Sequence, residues 1–104
     1  MATTARIFKA LADPTRRQIL QELKSSEMAA GDIVNLFDIS GPAVSRHLAI
    51  LKAADLVTER RDGNRIVYRV ETETLANCLS EFIGSVCPAQ ISVRNKMTKR
   101  KGKP

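Results

Sequence analysis

A small, mainly α-helical fold carrying one β-hairpin is what this chain predicts, on three observations. Apolar residues recur at helical spacing through residues 3–54 and again over 72–87. The period drops to two only between residues 56 and 70. Within that stretch Asp62-Gly63-Asn64 supplies the residue types that tight hairpin turns need. A chain of 104 residues accommodates one domain with a modest core. Aromatic residues make up only 4% and Trp is absent, so that core has to be aliphatic, as is usual in small helical folds.

Residues 3–12 read as a first helix with Ile7, Phe8 and Leu11 to one side. Asp13-Pro14 restarts the chain: Asp is a preferred N-cap, and Pro suits the first helical position because the N–H it lacks would be unpaired there. The helix that follows sets Ile19, Leu20 and Leu23 at core spacing. A third helix is expected over 29–37, with Ile33, Leu36 and Phe37 inward. Asp38-Ile39-Ser40-Gly41 forms a short turn, and Ser40 caps a fourth helix, GPAVSRHLAILKAA, whose Pro42 is tolerated in the first turn.

On a helical wheel Ala43, Val44, Leu48, Ile50 and Leu51 share one arc of that fourth helix. Pro42, Ser45, Arg46, Ala49, Lys52 and Ala53 share the other, a small and polar face. His47 falls inside the apolar arc, which predicts packing or a backbone contact for it. The hairpin runs LVTERR, turn, RIVYRV, with Ile66, Tyr68 and Val70 on one face and Arg65 and Arg69 on the other. Arg60, Arg61 and Arg65 are expected to cluster around its tip. A last helix over 72–87 carries Leu75, Leu79, Phe82 and Val86 as a stripe. Residues 1–88 are read as one domain and 89–104 as a basic, disordered tail.

The net charge of +6 is unevenly placed. The final stretch, RNKMTKRKGKP, holds six Lys/Arg and no acid, which leaves residues 1–93 balanced. Within that balance, 40–69 carry Arg46, Lys52, Arg60, Arg61, Arg65 and Arg69 against Asp55, Glu59 and Asp62. That local excess points to nucleic acid more than the bulk value does. No run approaches a membrane span, and the N-terminus has no signal-peptide pattern, so a cytoplasmic protein with reduced cysteines is expected. One His, no Gly-rich phosphate loop and no paired carboxylates leave no catalytic constellation, so no enzyme is expected. No cofactor or small-molecule ligand is expected either.

A turn between two helices, a second helix with a bare polar face and an Arg-tipped hairpin together predict a winged helix-turn-helix with a two- or three-stranded sheet. A helix faced with small residues can approach the floor of a major groove closely. Gly41, Pro42, Ser45, Arg46 and Ala49 are expected nearest the bases of double-stranded DNA, with Arg46 bonding a guanine. Ser40, Lys52, Arg60, Arg61, Asn64 and Arg65 are expected to hold the phosphate backbone. A plain helical hairpin, or a winged helix turned to protein interaction, is the competing reading. Neither needs a cationic face.

The chain resembles the ArsR/SmtB family of bacterial repressors over about residues 5–87. The resemblance rests on FKALADPTRRQILQEL at 8–23, ISGPAVSRHLAILKAADLV at 39–57 and RRDGNRIVYRV at 60–70. Within the family it looks like the SdpR-like autorepressors, which lack metal sites. The resemblance implies a homodimer joined through the first and last helices, here by Ile7, Phe8, Leu11, Leu75, Leu79, Phe82 and Val86. It also implies repression by blocking a promoter, often the gene's own. The family's thiolate metal site aligns with Ala29-Ala30-Gly31, and its last-helix site needs histidines that are absent here, so no metal site is expected. Cys78 and Cys87 lie nine positions apart on one helix, too far apart for an intrachain disulfide. A thiol-based redox or ligand-responsive repressor bridging Cys78 or Cys87 across the dimer is the alternative to an inert role.

Overall fold

In the computed structural model, which describes residues 3–87, Thr3 is the N-cap of α1 (Thr4–Leu11), its side chain accepting the Arg6 N–H. The expected tail lies outside the described residues. Asp13 does the same for α2 (Pro14–Leu23), its Oδ1 accepting from the N–H groups of Thr15 at 2.8 Å and Arg16 at 3.2 Å. Burial pushes the Asp13 carboxyl up, but these two donors, helped by the nearby Arg16 guanidinium, outweigh it and hold the group below its usual value. Two guanidiniums close the junction from the other side. Arg16 Nε donates to the Ala10 carbonyl at 2.8 Å and Arg17 donates to that of Leu11 at 2.7 Å, covering carbonyls in the last turn of α1.

The next segment departs from the expectation. A two-residue strand, β1 (Met28–Ala29), precedes a short α3 (Ala30–Val34), where one helix over 29–37 was expected. Beyond Val34 the chain tightens: Leu36 N–H donates to Ile33 and Phe37 N–H to Val34, each three residues back. Three residues per turn advance side chains faster round the axis than 3.6. Ile33 is therefore buried and Phe37 half-buried, but Leu36 swings out to 46% exposure.

Helix α4 (Gly41–Ala53) forms as the wheel predicts, with Val44, Leu48 and Leu51 buried. It ends in a Schellman arrangement: Asp55 takes φ +58°, its N–H donates to Lys52, and the Leu56 N–H reaches back to Leu51. Leu51 and Leu56 are both fully buried, so the apolar contact that accompanies this cap is in place. Strands β2 (Val57–Asp62) and β3 (Arg65–Val70) then pair antiparallel, closed by Gly63-Asn64 with Gly63 at φ +65°. The sheet order is β1-β3-β2, with Ala29 opposite Val67. Val67 is consequently buried on the same face as Arg65 and Arg69.

The last helix, α5 (Thr72–Val86), starts from Glu71, whose N–H donates to the Leu56 carbonyl and whose carboxylate accepts from Thr58 and Arg69. Those donors, Arg69 first, hold its carboxyl below the usual range. One aliphatic core joins the helices to the sheet through Ile7, Ile19, Leu20, Leu23, Ile33, Val44, Leu48, Leu51, Leu56 and Val57. No described helix is long and apolar enough to cross a membrane.

Replacing Asp13 with Ala is expected to cost about 1 kcal/mol of folding stability, whereas Asn, an equally good cap, should cost little. Because the folded state depresses the Asp13 pKa, its charged form stabilises the fold above the unfolded value, and that part is lost as pH falls through the folded one. Urea midpoints should therefore separate wild type from Asp13→Ala at neutral pH and converge below roughly pH 4.

Candidate nucleic-acid interface

The outer face of α4 is built by its ends and its core side together. Ser40 is exposed, its Oγ accepting the Ala43 N–H at 3.2 Å, which fixes where the helix begins. With Val44, Leu48 and Leu51 turned inward, Pro42, Ser45, Arg46, Ala49 and Lys52 are exposed and Gly41 is half-buried. Arg46 stands among small neighbours and has no ion-pair partner among the described residues. Lys52 is tied to the hairpin, its Nζ 3.2 Å from Glu59 Oε2. Tyr68 stands opposite Glu59 across the two strands; burial and then this carboxylate push its phenol pKa up.

The wing arginines divide between the two faces of the hairpin and do not form one cluster at its tip. The register sets Arg61 opposite Ile66, and Arg60 opposite Val67, so a period of two turns them apart. Arg61 shares its face with Glu59 and Tyr68 and has no ion-pair partner among the described residues. On the other face Arg60 meets Glu27 at 2.6 Å and Arg65 meets Asp32 at 3.4 Å. Asn64 occupies the turn itself and is exposed. Both ion pairs are exposed, which puts each at about 1 kcal/mol or less, so either arginine exchanges its carboxylate for a phosphate at small cost.

The expected dimer face is only partly a free surface. Ile7 is 5% exposed and belongs to the chain's own core, because the short α1 packs that side onto α2 and α4. Phe8, Leu11, Leu75 and Leu79 are half-buried. Phe82 and Val86 are 49% and 60% exposed, and Phe8 meets Phe82 edge to face with ring centroids 5.2 Å apart. On α5 Cys78 is buried and on its C-cap Cys87 is exposed, both as free thiols.

Two sets of residues escaped the sequence reading. Glu27 and Asp32, the partners of the wing arginines, lie 33 positions away from them. His47 finds a side chain and not backbone: its Nδ1 lies 3.3 Å from the Arg16 guanidinium. The position of Arg16 in the first turn after an N-cap was readable; its reach across to α4 was not.

Residues 13–59 match the arsR family of bacterial regulatory proteins. The chain is 46% identical to the transcriptional repressor SdpR of Bacillus subtilis over 80 residues, 77% of this chain and 89% of that protein. Among solved structures, NolR from Sinorhizobium fredii aligns with a TM-score of 0.62 at 37% identity, covering 77% of this chain and 83% of that one. An ArsR family transcriptional regulator, RHA00566, aligns with a TM-score of 0.77 over 86% of this chain and 96% of that one; at 23% identity this is a likeness of fold. The three-stranded antiparallel sheet, the exposed face of α4 and these matches agree: the chain belongs to the ArsR family of winged helix-turn-helix regulators.

Proposed function

We propose that this protein is a DNA-binding transcriptional repressor that occupies an inverted-repeat operator as a homodimer. The outer face of α4 carries the reading. Small exposed residues surround Arg46, and no carboxylate among the described residues neutralises it. In the complex α4 lies in the major groove, with Gly41, Pro42, Ser45, Arg46 and Ala49 at the bases. Ser40, Lys52, Arg60, Arg61, Asn64 and Arg65 hold phosphates on either side. The exposed Phe82 and Val86 beside Phe8 supply the apolar patch that a second copy covers. Leu11, Leu75 and Leu79 border that patch. The promoter of the protein's own gene is the first DNA to test.

Arg46→Ala should cost about 1–3 kcal/mol on the operator and relax preference at one base position. Arg61→Ala should weaken operator and scrambled DNA alike, and reduce the slope of log K against log salt by about 0.9. Fluorescence anisotropy of both DNAs across a salt series measures all of this; equal losses on the two DNAs for Arg46→Ala would make that residue a phosphate clamp only.

Sedimentation at micromolar concentration should show a species of twice the 11.5 kDa chain mass. Phe82→Glu should shift it to the single chain and weaken operator binding. A wild type that sediments only as 11.5 kDa would remove the homodimer from the proposal.

A further inference from the structure

Arg16 is the third residue of α2, and Asp13 fixes its backbone by accepting its N–H. Its guanidinium turns back across the end of α1, where Nε donates to the Ala10 carbonyl at 2.8 Å and one terminal nitrogen to that of Lys9 at 3.0 Å. The other terminal nitrogen lies 3.3 Å from Nδ1 of His47 on α4. A guanidinium can only donate, so Nδ1 is the acceptor and the neutral ring carries its proton on Nε2. Three acceptors on two helices thus converge on one rigid fork, a task that the point charge of a lysine does not perform. His47 adjoins Arg46, so whatever sets the ring also sets the start of the reading face.

We propose that Arg16 is a positioning residue for DNA recognition: through the neutral imidazole of His47 it sets α4, and with it Arg46, against α1, and protonation of His47 releases that hold. The proposal rests on the repressor reading. Its physical basis is the division of labour on α4. Val44, Leu48 and Leu51 keep the helix docked whether or not the ring is held, so releasing His47 changes the placement of the outer face and not the fold.

The ring is half-buried and within reach of solvent protons. Among the described residues the charged groups around it are Arg16 of α2, its N-cap Asp13, and Arg46 on the ring's own helix. From α1, Arg6 and Lys9 lie over Ile50, Ala53 and Ala54, further along α4. Only Asp13 among these is anionic. A proton on Nδ1 removes the acceptor, sets a second cation against Arg16 and draws the ring toward Asp13 instead.

His47 is the only histidine in the chain, so imidazole 15N–1H correlation spectra of the full-length protein read it alone, without DNA. The wild type is expected to show the Nε2–H tautomer, and Arg16→Lys a mixture of the two. Operator affinity of the wild type should fall roughly tenfold from about pH 7.5 to about pH 5.5. His47→Gln keeps a neutral acceptor and should stay flat across that range, while Arg16→Lys should bind weakly throughout. Thermal melts at each pH verify that every variant is folded. An Nδ1–H tautomer in the wild type, a His47→Gln profile parallel to that of the wild type, or wild-type affinity in Arg16→Lys would overturn the proposal. If the wild type prefers no DNA sequence at neutral pH, the repressor reading fails instead, and the tautomer measurement still decides whether Arg16 holds His47.

Discussion

Burial of Val44, Leu48 and Leu51 is the constraint on which the rest of the molecule depends. These side chains are enclosed with Ile19, Leu20 and Leu23 of α2, Ile33 of α3 and Leu56 and Val57 at the root of the wing. A fully buried aliphatic side chain contributes about 1.5–3 kcal/mol, so three of them fix the rotation of α4 about its own axis. Any turn that carried Arg46 inward would strip their cover and bury an unpaired cation. The Ser40 cap and the Schellman end fix the same helix along its length. The exposed face is what this packing leaves over, which is why it is narrow, small-featured and rigidly aimed.

Electrostatics is then arranged around a surface already aimed. Lys52, Arg60, Arg65 and Arg69 each meet one carboxylate, those of Glu59, Glu27, Asp32 and Glu71. These pairs account for how a domain with balanced charge still presents cations: each is solvent-exposed and weakly held, so a polyanion competes for it at little cost. Arg46 on the helix and Arg61 on the wing have no such partner among the described residues and need no exchange. The Lys52–Glu59 pair also spans from the far end of α4 to the wing, an exposed link that a phosphate displaces as readily as the others.

Asp13 and Ser40 as N-caps, Pro14 and Pro42 in first helical turns, Gly63 at the hairpin tip and the inward arc of α4 were all legible in the sequence by itself. Each is decided by interactions spanning a few residues or by one period repeated along an element, and such information is local. It failed first where local signals conflict: the apolar spacing through Leu36 suggested a full helix, but the chain spent Met28 and Ala29 on pairing with β3 and tightened after Val34. Which neighbour each face would meet was decided only by the tertiary structure. The spacing in α1 put Ile7, Phe8 and Leu11 on one side, which the family resemblance offered to a partner, whereas packing against α2 and α4 took Ile7 into the chain's own core. Likewise Arg60 and Arg61 are adjacent in sequence, yet the register of β2 on β3 sends one to Glu27 and leaves the other without a carboxylate among the described residues. Arg16 and His47 lie 31 positions apart and meet only because α1, α2 and α4 share a core. A pattern within one element says which way a side chain points; what stands there is fixed by how the elements close on one another.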